Sequence, residues 1–167
     1  KASLLPVSCP SGSGPAVASG FAAQTFRCGL PHPRGLAVRN TGEVFVVAGT
    51  APIDPGFALL PAGVFKFSSP STPTGAGDIE LFSPVNGTAV KIGPGGVFGN
   101  DLFVSRPRLF NIRGRTLLGP DEGEIFRVNL TSGNREATVF SRLLELAPTG
   151  IVFDPASNGL VMSSFIG

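Results

Sequence analysis

Four arginines fall within one short stretch, Arg106-Pro107-Arg108-Leu109-Phe110-Asn111-Ile112-Arg113-Gly114-Arg115, in a chain where only 14% of side chains are charged. Guanidinium groups pair bidentately with planar anions, so Arg106, Arg108, Arg113 and Arg115 form the candidate binding set, suited to a carboxylate, a sulfate or an acidic glycan. The alternative is a solvated loop that Leu109, Phe110 and Ile112 pin to the fold. Metal chemistry has less to work with. Asp54, Asp78, Asp101, Asp121 and Asp154 are scattered one per turn, with no D-x-D-x-D spacing and no His or Cys cluster to complete a shell. Asn100-Asp101 and Asp121-Glu122 offer oxygens, but solvated turn residues are the expectation. A serine nucleophile lacks its frame, because there is no G-x-S-x-G elbow and the single histidine, His32, is not placed to serve a triad.

Cys9 and Cys28 are the only cysteines. Joined, they close a loop that the chain-entropy model values at about 3 kcal/mol; the alternative is two free thiols, and sequence alone does not decide between them. Asn86-Gly87-Thr88 and Asn129-Leu130-Thr131 both fit the N-glycosylation pattern beside turn signals. Two sequons with a cysteine pair point to a secreted or lumenal protein, in which Cys9 and Cys28 are expected to be bridged and Asn86 and Asn129 to carry glycans.

These residues have to be held by something, and the apolar pattern says what. Pro33-Arg34-Gly35-Leu36-Ala37-Val38 and Glu43-Val44-Phe45-Val46-Val47 read as two short strands around Asn40-Thr41-Gly42, and the phrase returns as Pro148-Thr149-Gly150-Ile151-Val152-Phe153 with Gly159-Leu160-Val161-Met162. A weaker copy runs from Gly95-Gly96-Val97-Phe98 into Asp101-Leu102-Phe103-Val104-Ser105. A recurrence of roughly 50 to 60 residues is the mark of a repeat architecture. In the first copy Val44 and Val46 face one side and Phe45 and Val47 the other, so both faces are apolar and the sheet must be covered twice. Further strands are read at Gly63–Phe67, Asp78–Phe82, Ala89–Ile92, Glu124–Val128 and Glu136–Phe140. Only Arg142–Ala147 has a helical flavour, and it is too short for a stable isolated helix. With 23 Gly and 16 Pro punctuating such strands, the chain is expected to be an all-β protein. Its architecture is expected to be β-propeller-like, with about two to three four-stranded blades in an incomplete ring. The division is an N-terminal arm over 1–19, a strand over 20–28, blades over 33–83 and 89–141, and a partial blade over 148–167.

Gly20-Phe21, Phe26, Gly29-Leu30 and Pro33-Arg34-Gly35-Leu36-Ala37-Val38, with Gly42-Glu43-Val44-Phe45-Val46, resemble the opening blade of secreted propellers of the glucose and sorbosone dehydrogenase family. Pro148-Thr149-Gly150 is similar to later blades of that family and of NHL-type propellers. The likeness covers residues 20–167 and rests on turns and core strands that many propellers share, and a closed ring of about six blades needs roughly twice this length. The resemblance implies pyrroloquinoline quinone with calcium, and a histidine as general base, for which His32 is the candidate. Against that role, His32 lies between Pro31 and Pro33 with no carboxylate nearby in sequence to hold its tautomer.

A net charge of +2 gives no basic surface for nucleic acid, and no apolar run is long enough to span a bilayer. The reading adopted is a secreted, non-catalytic propeller module for binding or structural assembly, with no cofactor. Its expected partners are other chains of an extracellular assembly or the remainder of a longer polypeptide, because the strand at Leu160–Ile166 would otherwise offer an open apolar edge. The alternative is a quinone-dependent sugar dehydrogenase of which this is a partial chain.

Overall fold

A computed structural model describes residues 18–21, 30, 32–48, 62–67, 79–107, 109–112, 115–118, 123–131, 135, 137–143 and 147–164, with 109–112, 115–118 and 143 described by their backbone. The chain is all-β. Strands β1 (Gly35–Val38), β2 (Val44–Ala48), β3 (Gly63–Phe67) and β4 (Ile79–Ser83) form the first sheet in sequence order. The second sheet holds β5 (Ala89–Ile92), β6 (Leu102–Arg106), β9 (Gly123–Val128) and β10 (Ala137–Leu143), also in ladder order and antiparallel throughout. Between β6 and β9 the chain makes a separate hairpin, β7 (Leu109–Ile112) with β8 (Arg115–Leu118). The third sheet is the pair β11 (Pro148–Asp154) and β12 (Gly159–Ser164).

The β1–β2 reversal shows the local logic. Gly42 adopts φ 88°, a left-handed turn that glycine enters without a Cβ clash, and its N–H donates to the Arg39 carbonyl at 2.9 Å. That turn sets the register Ala37 opposite Phe45 and Gly35 opposite Val47. The alternation expected for β2 holds. Phe45 and Val47 enter one core with Val64, Phe82, Val90, Leu102, Val104 and Phe126 from the first two sheets. Val44, Val46 and Ala48 enter another with Phe65 and Phe67. A third core, Phe98, Phe103, Ile125 and Ile151, joins the second sheet to β11 and β12. Both faces of β2 and of most of β6 are therefore buried.

The sheets meet chiefly through their first strands. β5 lies against β1 and β2, and β11 lies against β5 and β6. The approach is closest at Gly35, where an added Cβ would sit 2.8 Å from the Ala89 Cα and 2.9 Å from the Val90 nitrogen. Phe103, fully buried on β6, meets Phe98, Phe140 and Phe153 edge-on, with centroids 5.7, 5.0 and 5.2 Å away. Phe140 reaches this cluster from a bulge between Val139 and Ser141 of β10.

Four expectations are corrected. The stretch 106–115 is not a loop: Leu109–Ile112 and Arg115–Leu118 pair as β7 and β8 across the two positions Arg113 and Gly114. Arg142 and Leu143 extend β10 rather than starting a helix, because they pair with Glu124 and Gly123 of β9. Gly96–Phe98 is one turn of 3-10 helix, since Gly95, Gly96 and Gly99 all take positive φ, so the second copy of the first strand is Ala89–Ile92 instead. At the N-terminal side, Gly20 has φ 90° in a turn closed by the Phe21 N–H on the Ala18 carbonyl, so the expected strand over 20–28 does not begin there. Its remainder, 22–28, and most of the arm lie outside the described residues.

Replacing Gly35 by Ala forces β1 and β5 apart and is expected to cost about 1–3 kcal/mol. Gly150→Ala meets only the Ser163 hydroxyl, at 2.7 Å, a group free to rotate, and is expected to change stability by less than about 0.5 kcal/mol. Urea unfolding of the two variants measures the difference; equal effects would contradict the close approach of the first two sheets. In the third core, Phe103→Ala is expected to cost about 3–5 kcal/mol in the same measurement.

Candidate functional site

Arg106 closes β6 and lies opposite Glu124 of β9, with which it forms an ion pair. Its guanidinium also stacks over Phe126, 4.4 Å from the ring centroid, and Arg142 Nε lies 3.7 Å from the other Glu124 oxygen. The planar group thus uses one face on an aromatic ring and its edge on a carboxylate. Arg135 repeats the pattern across the seam between sheets: it pairs with Glu80 of β4 and stands 5.1 Å over Phe82. Arg106 and Arg135 flank a groove of about 510 Å³ floored by Pro84, Val85 and Ala137. Two guanidinium groups over an apolar floor can receive an anion with an apolar body, but each already holds a carboxylate. An incoming anion therefore competes with Glu124 and Glu80.

Of the arginines expected to act together, Arg106 and Arg115 lie on different elements. Arg106 belongs to the second sheet and Arg115 to the hairpin, opposite Ile112 at the far end of β7, about 10 Å of strand from its start. Arg108 and Arg113 lie outside the described residues. Among the described residues, the fold brings Arg106 beside Arg135 and Arg142. The sequence signal for this is the strand pairing itself: Glu124 meets Arg106 on one side and Arg142 on the other once β9 is known to lie between β6 and β10.

A second polar cluster was not anticipated. Glu43, at the start of β2, accepts from Arg39 Nη1 at 2.8 Å and Thr41 Oγ1 at 3.0 Å, and pairs with Lys66 of β3. The Lys66 ammonium, with Arg39 and Thr41, holds the Glu43 carboxyl down at about 2, against an opposing push from partial burial. Arg39 also borders a cavity of about 360 Å³ between the β1–β2 turn and the end of β5, lined further by Asn40, Ile92, Pro94 and Asn100.

The remaining candidates take structural places. Asp101, buried, receives Arg127 Nε at 2.7 Å and the Leu130 N–H at 3.1 Å, joining β6 to the end of β9. Asp154 caps the β11–β12 turn by accepting from the Ala156 and Ser157 N–H groups at 3.0 and 3.2 Å. Its carboxyl is lowered by the Ser157 hydroxyl first and then by the Ala156 amide. Among the described residues no three His, Cys, Asp or Glu come together as a metal site. His32 is exposed in a bend at φ 41°. Asn129 is exposed and its Oδ1 accepts from the Thr131 N–H and hydroxyl at 2.8 and 2.9 Å. Asn86 is half-buried; beyond it Gly87 is buried and the Thr88 hydroxyl bonds the Pro148 carbonyl of the third sheet at 3.2 Å. Cys9, Cys28, Asp54, Asp78, Asp121 and Glu122 lie outside the described residues. Among those described, no helix is long and apolar enough to cross a membrane.

Comparison with known proteins returned no match to any family model, curated protein or solved structure.

The Glu43 cluster makes stability depend on acid. A carboxyl whose folded value lies below its unfolded one, near 4.5, stabilises the fold above that pH and loses the effect as pH falls toward about 2. Glu43→Gln is expected to be less stable than the native chain at neutral pH, with the gap closing between pH 4.5 and 2 in denaturant melts. A gap that stays constant over that range contradicts the ion-pair assignment.

Proposed function

We propose that this chain is a secreted, non-catalytic module of β-propeller type that serves binding or structural assembly in an extracellular complex. The observation that carries the reading is where its described carboxylates go. Glu43, Glu80, Asp101 and Glu124 each pair with an arginine or lysine from another strand, a neighbouring turn or the next sheet. General acid–base work needs a group poised to change its protonation state near the working pH, whereas these carboxylates are tied to cations that hold strands together. The propeller reading is supported by the ladder order of the two four-stranded sheets and by the leaning of each sheet's first strand on the sheet before. The groove between Arg106 and Arg135 suits an acidic glycan or an acidic segment of a partner chain.

The competing reading, a sugar dehydrogenase using pyrroloquinoline quinone and calcium with His32 as base, differs in a direct assay. Purified protein incubated with the quinone, calcium and an aldose is expected to reduce a redox dye no faster than a protein-free control. Turnover above that control overturns the non-catalytic reading. Secretion is tested separately, in a host that glycosylates. Peptide mapping is expected to find a glycan on Asn129 in excess over Asn86, whose sequon is packed against the third sheet, and a bridge between Cys9 and Cys28. An unmodified Asn129 with both thiols free would remove the extracellular assignment.

A further inference from the structure

Two asparagines in this chain precede a glycine: Asn86-Gly87 between β4 and β5, and Asn158-Gly159 where the β11–β12 turn enters β12. An asparagine in that position can modify itself. The backbone nitrogen of the next residue attacks the side-chain carboxamide carbon, ammonia leaves, and water opens the resulting succinimide to aspartate or isoaspartate. A glycine successor removes the Cβ that would crowd this approach. Beyond that, the rate depends on whether the fold holds the nitrogen beside the carbon it attacks.

On that point the two sites rank opposite to their exposure. Asn158 is exposed, but it is held at φ 50° with Gly159 laddered opposite Asp154. Its Nδ2 leans toward the β5–β6 connection, 3.9 Å from where a Cβ on Gly96 would stand. Asn86 is half-buried, and its Oδ1 accepts the Gly87 N–H at 2.8 Å. Oxygen and carbon of a carboxamide are one bond apart, so the attacking nitrogen already stands next to its target. Gly87 is also kept from swinging away. It is buried, and a Cβ on it would collide with the Ser105 carbonyl oxygen and the Val104 side chain. The next residue, Thr88, is tied by its N–H to the Ser105 carbonyl at 2.9 Å and by its hydroxyl to the Pro148 carbonyl at 3.2 Å.

We propose that Asn86 is a site of spontaneous deamidation, selected by the fold over the more exposed Asn158. The bond formed joins the Gly87 nitrogen to the Asn86 Cγ, and the bond broken is Cγ–Nδ2. The Gly87 amide proton leaves with the amide nitrogen as ammonia. Water then adds across one of the two ring C–N bonds. Cleavage at Cγ gives aspartate; cleavage at the main-chain carbonyl gives isoaspartate, with one extra carbon in the main chain just ahead of Thr88. Either product replaces a neutral amide by a carboxylate and can no longer accept a glycan at this sequon. The reaction needs only water, so it holds whatever the chain binds.

The test is incubation of the full, unglycosylated chain at mildly alkaline pH, once folded and once in concentrated urea. Peptide mapping at intervals resolves asparagine, aspartate and isoaspartate at both positions. In urea each site is a plain Asn-Gly pair, and the two are expected to convert at comparable rates. In the folded chain Asn86 is expected to convert about tenfold faster than Asn158. A folded ratio no greater than the urea ratio overturns the proposal, and so does a folded chain in which Asn86 stays intact. Asn86→Gln, which would have to close a larger ring, is expected to release correspondingly less ammonia while Asn158 converts as before. Ammonia release unchanged by that substitution would also overturn the assignment. The comparison of folded and urea ratios is made on the native chain, so it stands even if the glutamine variant does not fold.

Discussion

Phe103 and Val104 are neighbours on β6, both with no exposed surface, and they point to opposite faces of the same strand. Phe103 is held by the Phe98, Phe140 and Phe153 rings on the side of the third sheet, and Val104 by the core shared with the first. This two-sided burial is the constraint from which the rest follows. A four-stranded sheet with one dry face can leave the other in water, but a sheet that is apolar on both has no stable solitary state. Each sheet is therefore a condition for the next, and the side chains at their contact are felt from both directions. The ion pairs are secondary to this. Partly exposed pairs such as Arg106–Glu124 contribute about 0–1 kcal/mol each, against about 1.5–3 kcal/mol for burying one large apolar side chain.

How much of this could be read from the chain depends on distance along it. The alternation of Val44, Phe45, Val46 and Val47 is local, so the two dry faces of β2 follow from side-chain geometry alone. The ladder order of the first sheet follows too, because hairpin-connected strands pair with their neighbours. The second sheet is harder. Its β6 and β9 pair across an inserted hairpin, whose own two-residue Arg113-Gly114 connection is a weaker turn signal than Asn-Gly. The glycines before Phe98 misled for a physical reason: Gly-Gly-Val-Phe has the composition of a strand start, but the left-handed φ of Gly95 and Gly96 is fixed only by the chain that follows.

The candidate site was legible to a lesser degree, for the same reason. Four arginines close in sequence suggested one anion site, while the described contacts of Arg106 run to Glu124 and Phe126 on β9. The partners that matter are remote: Glu124 is 18 positions from Arg106 and Glu80 is 55 from Arg135. Only register brings them together. Asp101 and Asp154 show the converse case. Asn100-Asp101 invited a ligand reading and Asp154 stood among the scattered turn carboxylates, while the fold uses Asp101 to anchor Arg127 and the Leu130 amide, and Asp154 to close a turn.

The residues between the sheets grade in size from the first strands to the outer ones. On the first strands the contact residues are small, Gly35, Ala37 and Ala89, so backbones approach until a single Cβ at Gly35 would collide. Toward the outer strands the filling is large: Phe82 on β4, Phe126 on β9, and the Arg135 side chain laid over Phe82 at 5.1 Å. On the other side of the second sheet, Ala89 again lies at the inner edge and Phe140 on β10 at the outer. Small residues on the first strands let the backbones of β1 and β5 approach, while aromatics fill the space between the outer strands, where the Arg135–Glu80 pair joins the two sheets.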